Sequence, residues 1–140
     1  MAEFRGRMLV VEEDALARRI VAKRFARSGW SVQVTSTDEE ALELLDAAAG
    51  DVDIVVTDRL PLTFSGFDLA KRIREIPGPV GATAVVVVSG LDRPSDIASV
   101  LAAGADGFVS RPFDLADLES EIERVLKVRS AADDGQVGRT

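Results

Sequence analysis

Five short apolar runs alternate with five stretches of helical periodicity along this chain, and that alternation confines it to one fold class. The runs are RMLVVE (Arg7–Glu12), SVQVTS (Ser31–Ser36), DIVVTD (Asp53–Asp58), TAVVVVS (Thr83–Ser89) and GFVS (Gly107–Ser110). RMLVVE is continuously apolar rather than alternating, as a strand is when helices cover both of its faces. Strands that each lead into a helix imply an α/β fold, a parallel sheet with right-handed crossovers. TAVVVVS is the most hydrophobic run and reads as the centre of the sheet.

The helices carry their own punctuation. Asp14 can cap the first, Leu16, Ile20, Val21 and Phe25 stripe it, and Gly29 stops it. Thr37 with Glu40 forms a capping box for a helix over Asp38–Ala49. The loop RLPLTFSG leads to a helix over Phe67–Ile76, closed by PGP. Pro94 suits the first turn of a helix reaching Ala103, and Leu115, Leu118, Ile122, Val125 and Leu126 stripe the last. With 140 residues the chain is most simply one domain, burying roughly 70% of its unfolded surface. That domain is expected over residues 1–128. RSAADDGQVGRT (Arg129–Thr140) has no periodicity and reads as a disordered tail or a linker cut from a longer regulator.

Composition removes several function classes. There is no cysteine and no histidine, so thiolate chemistry is excluded and any imidazole chemistry must come from a partner. A formal net charge of −7 disfavours nucleic acid or an anionic membrane surface as a direct partner. No apolar run approaches a membrane span, and the chain reads as soluble and cytoplasmic.

Ligands of open α/β sheets bind outside the carboxyl ends of the strands. Those ends hold Glu12, Glu13 and Asp14 after the first strand, Asp58 after the third, Ser89 and Gly90 after the fourth, and Arg111 after the fifth. Carboxylates without histidine or cysteine favour a hard cation with oxygen ligands, Mg²⁺ first among them. Mg²⁺ beside a further carboxylate, a hydroxyl and a cation makes a phosphoryl site, in which a carboxylate can act as nucleophile and form an acyl phosphate.

In the segments LVVEEDALARRIV, IVVTDRLPLTFSGFDL, VVVVSG and GADGFVSRPFD the chain resembles the response-regulator receiver domain of bacterial two-component signalling, over about residues 7–128. The resemblance implies a doubly wound, flavodoxin-like (βα)5 fold with a five-stranded parallel sheet in the order 2-1-3-4-5. It makes Asp58 the phosphoacceptor. Glu12 and Glu13 become the acidic metal-binding pair, with Asp58 and the backbone carbonyl of Leu60 completing the Mg²⁺ ligands. Ser89 matches the hydroxyl that follows the phosphoryl group, Phe108 the aromatic whose rotamer reports that movement, and Arg111 the catalytic cation. Arg111–Pro112 matches a peptide bond that is cis in the family, and such X–Pro bonds cost only about 0.5–1 kcal/mol over trans.

Four positions depart from the family's pattern. Arg111 replaces a lysine, and a planar guanidinium is not a compact ammonium. Glu13 replaces an aspartate and is one methylene longer, which matters to the strict octahedral shell of Mg²⁺. Pro61 stands one residue nearer Asp58 than usual, and Phe108 has no hydroxyl. A longer carboxylate and a longer cation could compensate each other.

The function expected is a phosphoryl-accepting switch of a phosphorelay, served by a sensor histidine kinase or a histidine phosphotransfer protein. Any enzymatic activity is confined to self-phosphorylation from that donor and hydrolysis of its own acyl phosphate. Leu60 and Leu91 fall where the family tunes that hydrolysis, and two apolar residues imply slow loss. The output face would be helix four, strand five and helix five, meeting an effector or a second copy. Arg19, Lys23 and Arg27 make a basic stripe on helix one; it serves either as a docking face for the kinase or simply as a solvated face. The alternative is a pseudo-receiver that binds a partner without phosphorylation, for which Arg111, Glu13 and Pro61 speak. A flavodoxin-like flavin or nucleotide binder is disfavoured because EEDAL after the first strand repels a phosphate. A hydrolase with a DxD pair is disfavoured because Arg59 and Leu60 follow Asp58.

Overall fold

A computed structural model describes residues 3–58, 65–90, 93–111 and 113–137, without the side chains of 65–68 and 132–137. Strand β1 (Gly6–Glu12) leads to α1 (Ala15–Arg27), β2 (Trp30–Thr35) to α2 (Asp38–Ala48), and β3 (Ile54–Asp58) to α3 (Ser65–Glu75). A 3-10 turn (Pro79–Ala82) then feeds β4 (Ala84–Ser89), α4 (Pro94–Ala102), β5 (Gly107–Ser110) and α5 (Leu115–Val137). All pairings are parallel, in the order β2-β1-β3-β4-β5. The centre is therefore β3, not β4 as its hydrophobicity suggested. Any strand paired on both sides and covered on both faces can be wholly apolar, so that property marks interior strands without ranking them.

The local signals act as their chemistry requires. The Asp14 carboxylate accepts from the Leu16 and Ala17 amides at 2.9 and 3.3 Å, and Thr37 Oγ1 accepts from the Glu40 amide at 3.2 Å. After α1 the chain turns at Gly29 with φ +103°, and a Cβ there would lie 2.0 Å from the Glu3 carbonyl oxygen, so only glycine fits. Helix α3 begins at Ser65, two residues before the expected Phe67.

Side chains alternate across the strands and fill two cores. Leu9, Val11, Val55, Val85 and Val87 pack with Ala41, Leu45, Leu69 and Ile73 under α2 and α3. Met8, Val10, Ile54, Val56, Val86 and Val88 pack with Phe25 of α1 and Leu118, Ile122 and Val125 of α5.

The end of the sheet away from the strands' carboxyl termini is tied by Asp106. Its Oδ2 accepts from the Val85 amide at 2.9 Å and from Arg74 Nη2 at 2.8 Å, and its Oδ1 accepts from Arg129 Nη1 at 2.8 Å. Arg74 Nη1 also donates to the carbonyls of Gly81 and Thr83. Replacing Asp106 by Ala strands two half-buried guanidinium groups and a ladder amide. Urea unfolding of D106A is expected to show a loss of about 3 kcal/mol, as for other broken buried pairs. A loss within about 0.5 kcal/mol would mean that the pairs are only surface contacts.

Helix α5 does not stop at residue 128, where the sequence places the domain's end, but runs to Val137. Absence of an apolar stripe does not stop an already nucleated helix, because each further residue adds a backbone bond. Along α5, Glu121 accepts from Arg124 and from the Phe108 amide, and these bonds hold its carboxyl below the ordinary range against the opposing effect of burial. A depressed carboxyl adds stability that is fully present above its unfolded pKa, near 4.3, and is lost as pH falls through the lower folded value. Glu121→Gln is therefore expected to flatten the acid limb of the stability profile below about pH 5. An unaltered slope would show that Glu121 does not contribute to it.

Candidate functional site

Parallel register brings the acids together. Glu12 at the end of β1 stands opposite Asp58 at the end of β3, and Asp58 opposite Val88 of β4. On the far side Ser89 pairs with Ser110, and the Arg111 amide donates to the Ser89 carbonyl at 2.9 Å. That last bond carries the ladder one residue past β5 and aims Arg111 back over the strand ends.

The result is a cleft of about 410 Å³ lined by Glu12, Glu13, Asp14, Ala17, Asp58 and Arg111. Arg111 Nη2 forms an ion pair with Asp58 Oδ2 and lies 3.7 Å from Glu12 Oε2. One guanidinium nitrogen thus serves two carboxylates. Glu12 is buried and its side chain is turned by its own loop, Oε1 accepting from the Asp14 amide at 2.9 Å. Burial raises its carboxyl above the ordinary range, against the Asp14 amide and the Arg111 charge, which pull it down.

The other predicted positions divide. Glu13 is exposed at the rim, and Asp14 serves as the helix cap. Ser89 is buried at the end of β4, is hydrogen-bonded or paired, and is not among the residues lining the cleft. Phe108 is partly buried against the core under α2, α3 and α4. Leu60, Pro61, Leu91 and Pro112 lie outside the described residues, and with them the Leu60 carbonyl and the Arg111–Pro112 bond.

The donors suit Mg²⁺ in kind: two carboxylates, Glu12 and Asp58, open into one cleft, and that ion is satisfied by one or two carboxylates with retained waters. They do not form a ready cage, since no three acidic groups among the described residues are poised to hold a metal ion. The space between the carboxylates is shared with Arg111, so a cation there requires the guanidinium to swing outward. Its side chain is 42% exposed and can do so.

One contact was not read from the sequence. Arg18 Nη1 donates to the Glu12 carbonyl at 2.8 Å, anchoring the loop that presents Glu12. Helical side chains point back toward the helix N-terminus, so a long cation in the first turn of α1 reaches the strand end before it. Position 18, four residues after the cap, carried that signal.

A parallel sheet in this order, with an acid-lined cleft and a cation at its carboxyl edge, defines a doubly wound α/β domain with its candidate site where such sheets bind their ligands. The sequence pattern of the response regulator receiver domain matches residues 8–123, and the chain belongs to that family, part of two-component signalling. The response regulator MprA of Mycolicibacterium vanbaalenii is 29% identical over 129 residues, 92% of this chain and 53% of that protein. The heme response regulator HssR of Staphylococcus saprophyticus is 31% identical over 122 residues, 85% of this chain and 50% of its own. The chain thus spans about half the length of these relatives. The fold is shared with the chemotaxis response regulator CheY4 of Vibrio cholerae (TM-score 0.75, 23% identity, 86% and 98% of the two chains). It is shared too with the receiver domain of Francisella response regulator 1452 (TM-score 0.77, 23% identity, 89% and 99% of the two chains).

Proposed function

We propose that this chain is a phosphoryl-accepting switch of a phosphorelay, with Asp58 as the phosphoacceptor. The observation that carries the reading is the meeting of Asp58, Glu12 and Arg111 in one cleft at the carboxyl edge of the sheet. An Asp58 carboxylate oxygen attacks the phosphorus of a phosphohistidine. The new P–O bond replaces the P–N bond, and the imidazole leaves with the bonding pair and takes up a proton. Mg²⁺ held by Glu12 and Asp58, with Glu13 at the rim, would supply charge that offsets the phosphoryl oxygens. Arg111, drawn off the carboxylate, binds those oxygens, and the Ser89 hydroxyl follows them. Phe108 then repacks, altering the face of α4, β5 and α5 that an effector or a second copy meets.

The donor fits a sensor histidine kinase or phosphotransfer protein. Its docking surface would be α1, where exposed Leu16 and Ile20 run beside Arg19 and Lys23. No described helix is long and apolar enough to cross a membrane, which suits a cytoplasmic relay. The test is intact-protein mass after incubation with acetyl phosphate. One added phosphoryl group with Mg²⁺, absent without it, is expected. No addition, together with no Mg²⁺ binding, would overturn the reading and leave a docking module that works without phosphorylation. Once formed, the acyl phosphate is expected to persist, since Leu60 and Leu91 offer no group to orient water; decay within seconds would contradict that.

A further inference from the structure

Strand β5 ends the sheet, and an edge strand leaves outward amides unpaired unless something covers them. Here the Phe108 amide donates to Glu121 Oε2 of α5 at 2.9 Å. Arg124, one turn further, grips the same carboxylate with two nitrogens, Nε to Oε1 at 2.7 Å and Nη2 to Oε2 at 3.0 Å. Its Nη2 also donates to the Asp106 carbonyl at 3.2 Å. The approach is close enough to dictate the sequence between these contacts. A Cβ on Gly107 would stand 2.8 Å from both Glu121 Oε2 and Val125 Cγ2. Phe108 itself packs toward the opposite core and sits in register with Val87, one step before the Val88–Val109 and Ser89–Ser110 pairs.

We infer that Glu121 is a positioning residue that makes β5 and α5 move as one body, so that a displacement of Phe108 is carried into α5. The origin of that displacement rests on the proposed phosphorylation of Asp58; the coupling itself does not. The Glu121 side chain is largely buried and both of its oxygens are committed, so the carboxylate is the stiff part of the connection, and the more exposed Arg124 supports it from the same helix. Hydrophobic contact between Val125 and β5 alone would allow the strand to slide.

The experiment is amide hydrogen exchange by NMR on the wild type, Glu121→Leu and Glu121→Gln, followed by addition of Mg²⁺ and beryllofluoride as a phosphoryl analogue. In E121L the Phe108 amide is expected to exchange about tenfold faster or more, while β4 amides keep their protection. E121Q, whose side-chain oxygen can still accept, is expected to retain most of it. On adding beryllofluoride, resonances of residues 118–125 shift in the wild type and stay in place in E121L. Unaltered Phe108 protection in E121L, or α5 shifts of undiminished size, would overturn the coupling. If the wild type gives no shift anywhere, the phosphoacceptor reading fails instead, and the exchange rates alone decide whether Glu121 holds the strand.

Discussion

Asp58→Asn is expected to take up no phosphoryl group from acetyl phosphate under conditions that saturate the wild type, a complete loss read directly as mass. The substitution is chosen for its shape. Asn keeps an oxygen that can accept from Arg111, so the cleft and its walls remain, but the amide is not a nucleophile at neutral pH. The ion pair weakens to a neutral–charged hydrogen bond, and because Arg111 is well exposed this should cost within about 1 kcal/mol. A folded, stable and inert D58N protein would place the chemistry on that carboxylate. Uptake surviving in D58N would move the phosphoacceptor elsewhere, with Glu12 the nearest carboxylate on the same side of the sheet.

Arg111→Ala is expected to change two measurements in opposite directions. Mg²⁺ affinity should rise, because one guanidinium nitrogen now serves both carboxylates and must be displaced by any cation that takes its place. A dication held about 5 Å from a fixed guanidinium would meet roughly 7 kcal/mol of repulsion at an effective dielectric of 20. The side chain can swing into solvent, so only a fraction survives, and a gain of about tenfold is the reasonable expectation. Phosphoryl uptake should fall by about 10²–10³-fold, the usual cost of removing one group that stabilises transition-state charge. Titration calorimetry and the rate of mass gain separate the two. If affinity and rate fell together, Arg111 would be a structural support of the acid cluster rather than its competitor. Arg111→Lys provides the comparison: a compact ammonium should keep more of the uptake rate than Ala does.

How far the sequence could be read follows from what each feature depends on. Strand positions were legible because covered strands are continuously apolar, and Asp58 was legible because an acid closing such a run has to face the carboxyl edge. Asp14 and Thr37 were legible because capping is local. The placing of β4 at the centre failed because hydrophobicity reports burial, which β3 and β4 share, and says nothing of order. The reach of α5 beyond residue 128 was missed because Ser130, Ala131 and Ala132 carry no stripe, although helix continuation needs none. The contacts of Arg18 and Glu121 depend on side-chain length and on which backbone group is left unpaired, and neither is written in a periodic pattern. Both lie where a residue looked like ordinary solvated charge.

The clamp at Asp106 gives the long last helix a pivot. Arg129 fastens α5 to the base of the sheet, and beyond that point the helix continues to Val137, about 12 Å at 1.5 Å per residue. Whatever turns the helix near Glu121 acts on one arm of a lever whose fulcrum is this ion pair, and the other arm is a stiff rod. A tilt of about 10° at the fulcrum carries Val137 about 2 Å sideways. The two arms are of equal length, eight residues each, so a sideways movement of the helix near Glu121 would arrive at Val137 undiminished.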